Sequence, residues 1–295
     1  MAWIKLVFDV DTPAAEPLAD RLTALGAVAT SLLDAGDEPV LEPKPGELRL
    51  WPNTRVLGLF QADADIDRVS AALAGADLQT GRPPRYYQEI LEDKDWCRAW
   101  LEHFKPMQFG PRLWVVPTAH HPPDPTAVNL RLDPGLAFGT GTHPTTALCL
   151  TWLAQQALTG RTVLDFGCGS GILAIAALLL GAKHALGVDI DPQAHIASKA
   201  NAALNGVAGR LSLIPDDQHA QADTVVANIL ANPLIELAPR LASMLTPGNT
   251  LALSGLLHTQ VERVSAAYRP WFDLNPPVQR EDWALISGVR RHTAY

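Results

Sequence analysis

The spacing of apolar and polar positions predicts two differently organised parts of the chain. In the first part, short β-rich runs alternate with helical repeats that are apolar on one face. The predicted elements are strands at 3–10, 27–33, 48–50 with 56–60, and 85–91, and helices at 13–25 and 65–73. This strand–helix–strand–strand–helix–strand order predicts a small α+β, ferredoxin-like domain over residues 1–91.

Residues 92–125 have the pattern of a linker and hinge. Asp95 to Phe104 is predicted to be a helix that carries an aromatic stripe. Prolines then interrupt the chain repeatedly, which excludes a long regular element. They are Pro106, Pro111, Pro117, Pro122, Pro123 and Pro125.

From residue 126 to 295, helices alternate with short apolar strands, as in a doubly wound α/β domain. The predicted strands are 163–166, 185–188, 211–214, 224–227 and 250–254. Asp191-Pro192 and Asn232-Pro233 have the form of a helix cap followed by proline, which predicts a helix start at each. Val278 to Arg290 is rich in strand formers and is predicted to add an antiparallel edge strand.

Composition and charge narrow the function. The 295 residues are 47% hydrophobic and 18% charged, and no apolar run has the length of a membrane span. Three scattered cysteines and the absence of a signal-peptide pattern favour a cytoplasmic protein with no metal site. A formal net charge of -8 disfavours general binding of nucleic acid and suits a small molecule or a basic protein partner.

A glycine-rich loop is the strongest chemical signal. A predicted strand ends in Asp165, and glycines follow at 167, 169 and 171 before an apolar helix. Such glycines let a ligand lie against the main chain, and the helix start directs N–H groups towards it. The next strand ends in Asp189, an acid placed to bind the two hydroxyls of a ribose. These features predict a site for a cofactor that contains adenosine.

Two cofactors fit this loop. Gly169 to Ala174 satisfies the dinucleotide pattern, with Asp189 placed 20 residues after Gly169, and favours NAD. The alternating glycines directly after Asp165 instead suit S-adenosylmethionine (SAM), which has no pyrophosphate. Asp165 either helps to orient the ammonium group of SAM or stabilises the loop, and Cys168 is interpreted as a small buried filler.

Two further segments carry candidate site residues. The strand at 224–227 ends in Asn228, whose side chain could align an amine substrate, although asparagine is also a common turn residue. The segment 133–146 is rich in glycine and threonine and precedes a helix. Thr145 or Thr146 could bond the carboxylate of the cofactor or cap that helix, and His143 is a candidate base or a structural residue.

Together, four segments resemble the ribosomal protein L11 methyltransferase family (PrmA): Gly139 to Thr146, Asp165 to Gly171, Asp189 to Pro192 and Val226 to Leu230. Leu91 to Trp96 and Phe104 to Met107 resemble the linker of that family, and the likeness covers nearly the whole chain. The glycine loop is shared by many methyltransferases, whereas the threonine-rich loop together with Asn228 is far more specific.

The resemblance implies a SAM-dependent protein methyltransferase, with a Rossmann-like domain, that modifies lysine and N-terminal amines of ribosomal protein L11. The N-terminal domain would hold this basic large-subunit protein. A monomer without a direct nucleic-acid site or membrane association is expected. Carried over by motif, the cofactor contacts are Thr146, Gly167, Gly169, Asp189 and Asn228, with Asn228 also aligning the amine.

The expected reaction needs alignment and loss of water more than a dedicated base, because SAM is already activated. Two alternatives remain at this point. The chain could methylate another protein or a small amine, or it could be a non-catalytic SAM-binding module in ribosome assembly.

Overall fold

The computed structural model describes residues 2–36, 51–74, 85–91, 104–132 and 141–292. The chain forms two compact units, residues 1–99 and 100–295. No helix in the described ranges is long and apolar enough to cross a lipid bilayer. The predicted strand segment 48–50 and residues 95–103 of the predicted linker helix lie outside the described residues. The limits of 91 and 125 for the linker stay a prediction.

The first unit has the predicted ferredoxin-like order. Its sheet is antiparallel with the strand order β2-β3-β1-β4, so the first and third strands are central. Alternate side chains such as Leu6, Phe8 and Phe60 face the helices and form the core with Leu18 and Leu22. The elements are β1 Trp3–Asp11, α1 Thr12–Ala24, β2 Ala29–Asp34, β3 Asn53–Gln61, α2 Ile66–Ala74 and β4 Tyr86–Leu91.

A three-stranded sheet opens the described part of the second unit. It consists of β5 Met107–Phe109, β6 Leu113–Val116 and β7 Val128–Arg131, in the order β5-β6-β7. Phe109 and Leu130 from this sheet are buried in the core of the second unit. These strands were not predicted from the sequence, because runs of three or four residues between prolines are too short to show a period.

The remaining chain forms the predicted doubly wound α/β fold. Strands β8 to β12 are parallel to one another, and β15 pairs antiparallel with β12, β13 and β14. The strand order is β10-β9-β8-β11-β12-β15-β13, with β14 paired to β15. Alternate residues of each central strand enter two apolar clusters, as Val163 and Leu164 do in β8, so both faces of the sheet are covered. The elements are α3 Pro144–Gln155, β8 Thr162–Phe166, α4 Ile172–Leu179, β9 His184–Val188, α5 Pro192–Leu204, β10 Leu211–Leu213, β11 Ala222–Asn228, α6 Ala231–Glu236, α7 Ala238–Ser243, β12 Leu245–Leu257, α8 Val261–Tyr268, β13 Phe272–Leu274, β14 Val278–Arg280 and β15 Trp283–Arg290.

The prediction of one edge strand over Val278 to Arg290 is wrong in two respects. The segment forms a hairpin of β14 and β15, joined by a two-residue turn. β15 lies inside the sheet, between β12 and β13, and Ala284 to Ser287 are buried without alternation. A strand covered on both faces needs such a continuous apolar run, and this pattern was visible in the sequence.

The predicted start of a helix at Asn232-Pro233 is also wrong by two residues. α6 begins at Ala231 with Leu230 as its cap, and the Asn232 side chain instead accepts a hydrogen bond from Arg263 at 2.8 Å. The first turn of a helix leaves its N–H groups unpaired, so proline fits at several positions there and does not fix the boundary. At Asp191-Pro192 the prediction is confirmed, because Asp191 caps α5 by accepting the Gln193 N–H at 2.8 Å.

Candidate functional site

A cavity of about 560 Å³ lies at the carboxyl ends of the central parallel strands. Its volume falls within the roughly 300–1,000 Å³ of typical small-molecule sites. Strands β8, β9 and β11 end at this edge of the sheet and bring residues that are far apart in the chain to one wall. All five predicted cofactor contacts line it: Thr146, Gly167, Gly169, Asp189 and Asn228.

The glycine loop depends on backbone angles that other residues rarely adopt. Gly167, Gly169 and Gly171 have φ values of 78°, 51° and 77°. The N–H groups of Gly167 and Cys168 both donate to the carbonyl of Val188, at 2.8 and 2.9 Å, which joins the loop to the end of β9. Backbone hydrogen bonds therefore fix the shape of the loop, and its main chain faces the cavity.

Asp189 connects this loop to the following turn. Its Oδ2 accepts the N–H of Gly169 at 2.8 Å, and its Oδ1 accepts the N–H of Asp191 at 2.9 Å. A carboxylate oxygen has more than one lone pair, so both oxygens can still accept a hydrogen bond from a hydroxyl group of a ligand. Asp189 is therefore held in the cavity wall by two backbone N–H groups and keeps acceptor capacity on both carboxylate oxygens.

Asp165 accepts a hydrogen bond from the first turn of α4, the helix that follows the loop. It is fully buried, and its Oδ2 accepts the N–H of Ala174, the third residue of α4, at 3.0 Å. Gly171, the cap residue of α4, has no side chain that could satisfy this N–H. This contact favours the loop-stabilising interpretation of Asp165. Its Oδ1 has no hydrogen-bond partner among the described residues.

Burial raises the pKa of Asp165 to about 7, although the Ala174 N–H opposes the shift. The folded state therefore binds more protons than the unfolded state between about pH 4 and pH 7. We expect the stability of the ligand-free protein to fall as the pH rises through this range. Asp165→Asn should unfold like the wild type near pH 4 and be more stable at pH 8, by up to about 4 kcal/mol.

Urea unfolding of both proteins at several pH values measures this difference. The asparagine keeps an acceptor for Ala174 and cannot ionise, so it tests the charge alone. If the two stability curves stay parallel from pH 4 to pH 8, Asp165 is not the titrating group.

Asn228 and Thr146 form a polar pair in the cavity wall. Asn228 ends β11, and its Nδ2 donates to Oγ1 of Thr146 at 3.3 Å. Thr146 is fully buried in the first turn of α3, so its hydroxyl is held by the helix. This contact uses one of the two amide N–H groups and fixes the orientation of the amide, whose oxygen is the acceptor that Asn228 can offer to a ligand.

His143 has a structural role in the same wall. It caps α3, with Nδ1 accepting the N–H of Thr145 at 3.4 Å and lying 2.7 Å from its Oγ1. Its ring also meets Trp283 edge-on, with centroids 4.8 Å apart. Burial lowers the pKa of His143, against a smaller opposite effect of Glu281, so the ring is neutral at pH 7. A neutral ring is what the capping contact needs.

Several cavity residues were missed in the sequence. Trp283 begins β15, Asp216 follows β10, and Gly255 lies in β12. Asp216 could have been found, because it follows a predicted strand whose carboxyl end faces the same edge of the sheet. The residues around Trp283 and Gly255 do not indicate that either lines the cavity, because their positions depend on how β12 and β15 pair. The exposed apolar side chains of Ile190 and Leu230 also border the cavity.

Two other sequence interpretations concern Cys168 and metal binding. The Cys168 thiol is buried, and burial raises its pKa to about 12, so it is protonated at neutral pH. This agrees with the interpretation of Cys168 as a filler. Within the described ranges, no cluster of three or more histidine, cysteine or acidic residues could hold a metal ion.

Comparison with known proteins gives a consistent result. The model of the family described as ribosomal protein L11 methyltransferase (PrmA) matches residues 2–291. The ribosomal protein L11 methyltransferases of Actinobacillus pleuropneumoniae serotype 5b and of Azotobacter vinelandii are each 54% identical to it over 294 residues, which span 99% of this chain and 100% of each relative. The crystal structure of the ribosomal protein L11 methylase from Lactobacillus delbrueckii subsp. bulgaricus aligns with a TM-score of 0.59 at 34% identity, over 64% of this chain and 100% of that chain. The resemblance seen in the motifs is confirmed.

Proposed function

Because this chain belongs to the ribosomal protein L11 methyltransferase family (PrmA), we propose that it transfers methyl groups from SAM to amines of ribosomal protein L11. The acceptors are lysine side chains and the N-terminal amine. The observation that carries this proposal is the Asn228–Thr146 pair, which sets a hydrogen-bond acceptor beside a cavity built for an adenosine cofactor.

The residues present fit SAM. The cavity is large enough, and Gly167, Cys168 and Gly169 of the glycine loop line it. A Cβ at Gly167 would lie 2.3 Å from Cγ2 of Ile229, so the loop allows no side chain there. Asp189 would accept the ribose hydroxyls, and the loop at Gly167 and Gly169 would lie along the amino-acid portion. The Asp216 carboxylate, whose Oδ1 accepts from Arg240 Nη1 at 3.0 Å, would also accept an N–H from the base.

When bound, SAM supplies a methyl group on a positively charged sulfur, which an amine lone pair can displace without further activation. The chain's own residues must therefore present a neutral amine in the correct direction. A free lysine has a pKa of about 10.4 and is mostly protonated at neutral pH. Entry into the apolar part of the cavity, beside Trp283 and Leu230, disfavours the charged form and lowers that pKa.

Alignment of the amine is assigned to Asn228. Its side-chain oxygen and the backbone carbonyl of Ile229 are acceptors for amine N–H groups at the end of β11. Two accepted N–H bonds leave the lone pair free to point towards the methyl group. His143 is not needed as a base in this scheme, because its Nδ1 is engaged by Thr145.

Recognition of the protein substrate is assigned to the first domain, residues 1–91, and to the linker that follows it. The net charge of -8 favours a basic partner, and such attraction weakens with salt. We further propose a cytoplasmic monomer that acts on protein and not on nucleic acid. A variant that lacks the first domain should keep its affinity for SAM and lose most of its activity on L11.

Intact-mass spectrometry of unmethylated L11, incubated with this protein and SAM, tests the proposed function. Increments of one methyl group, up to several per chain, are expected. If SAM binds by calorimetry but L11 gains no mass, the acceptor is a different amine or the protein is a non-catalytic SAM-binding module. A mixture of basic ribosomal proteins in the same assay separates these two outcomes.

A further inference from the structure

Strand β12 contains an irregularity next to the candidate reaction centre. Its pairing with β15 shifts register between Leu253 and Leu256, and Gly255 within this shift has a φ of 85°. A residue with a side chain rarely adopts that backbone angle. The irregularity therefore lies in the strand next to β11, close to where β11 ends in Asn228.

The peptide of Ile229 lies directly on Gly255. A Cβ added at Gly255 would be 2.3 Å from the Ile229 oxygen, 2.7 Å from its carbonyl carbon and 2.8 Å from its nitrogen. All three atoms belong to the backbone, so no rotation of a side chain could relieve the contact. On the opposite side, a Cβ added at Gly167 would meet only the Ile229 side chain, with Cγ2 at 2.3 Å.

We propose that Gly255 is a positioning residue for methyl transfer. Because Gly255 has no side chain, the Ile229 peptide can pack against it, and this contact holds Asn228 and the Ile229 carbonyl beside the cavity. The inference rests on the proposed function. An ordinary contact of a Cβ atom is 3.4 Å or longer, so an added methyl group would displace the Ile229 oxygen by about 1 Å. A displacement of that size in an aligning group costs about 10²-fold in rate.

The effect should separate turnover from cofactor binding. Asp189 and Gly169, which hold the predicted cofactor position, lie on the loop and turn after β8 and β9 and contact each other. Gly255 also borders the cavity, but its nearest contacts are the backbone atoms of Ile229, in the segment after β11. We therefore expect Gly255→Ala to lower kcat on L11 by about 10²-fold and to change the Kd for SAM much less, because four of the five predicted cofactor contacts lie outside the displaced segment. The KM for L11 should stay within about twofold of the wild type.

Gly248 provides a matched control in the same strand. It also has a φ of 85°, but a Cβ there would have only His292 Nε2 within reach, at 3.9 Å. Gly248→Ala therefore introduces the same backbone strain without pressing on Ile229. The proposal predicts wild-type kcat for Gly248→Ala, and equal kcat in the two variants would overturn it.

A second pair of variants covers the case in which Gly255→Ala does not fold. A glycine at 229 gives the displaced peptide more conformational freedom, so Gly255→Ala/Ile229→Gly should fold and have a lower kcat than Ile229→Gly alone. Equal kcat in these two, or failure of the double variant to fold, would assign Gly255 to stability and overturn the positioning role. If the wild type leaves L11 unmethylated in the same assay, the proposed function fails first, and the inference with it.

Discussion

Replacement of Asn228 by alanine is expected to reduce kcat for L11 methylation by about 10²–10³-fold. The variant loses the side-chain oxygen that is assigned to the amine, and it also loses the contact that joins the end of β11 to Thr146. Misalignment of a reacting group accounts for about 10²-fold, and loss of a hydrogen bond for roughly tenfold more. Mass spectrometry of L11 under multiple-turnover conditions, with L11 and SAM saturating, measures kcat.

Thr146 offers a matched pair of controls for this result. Thr146→Ser keeps the hydroxyl that accepts from Asn228, whereas Thr146→Val has nearly the same shape and removes it. If Asn228 acts through its orientation, the valine variant should lose part of the rate and the serine variant should not. Full activity of Asn228→Ala would reduce Asn228 to a turn residue and leave the amine without an assigned acceptor.

Replacement of Asp189 by alanine is expected to raise the Kd for SAM by about 10²-fold. The carboxylate is assigned to the ribose hydroxyls, and it also holds the Gly169 N–H at 2.8 Å. A hydrogen bond to a charged group contributes roughly 1.5–3 kcal/mol, and the upper end of this range converts to about this factor in Kd. Isothermal titration calorimetry with SAM measures the change.

Asp191 is the natural control for Asp189, since it lies two residues away and carries the same charge. Its side chain caps α5 through the Gln193 N–H. Asp191→Ala should cost about 1 kcal/mol of stability and leave the Kd for SAM within about twofold. Equal losses of affinity in the two variants would indicate a general effect of negative charge and not a ribose contact at Asp189.

The elements of the fold that sequence predicts well are those with a long, local pattern. The alternation of strands and helices around β8, β9 and β11, and the first helix, predicted at 13–25 and observed as Thr12–Ala24, follow from periodicity. The interior position of β15 was missed, because strand order depends on contacts between residues far apart in the chain. The sheet of β5 to β7 was missed because its strands are too short.

The residues of the candidate site also divide into those that a local pattern predicts and those that it does not. Asp189 and Asn228 were predicted because each directly follows a recognisable strand, and the ends of neighbouring parallel strands meet at one edge. Trp283 enters the cavity through the β14–β15 hairpin, and Gly255 acts through a backbone contact with Ile229. Nothing in the residues around either position encodes these contacts, so only the folded chain reveals them.

The interior position of β15 has a consequence for the order in which the protein matures. This strand follows all the other strands of its sheet in the chain, yet it pairs with β12, β13 and β14. A ribosome must therefore translate to about Arg290 before the sheet can close, although Asn228 and the glycine loop have been synthesised long before. Trp283 joins the cavity only at that late stage, so the nascent chain cannot complete its reaction centre ahead of its final strand.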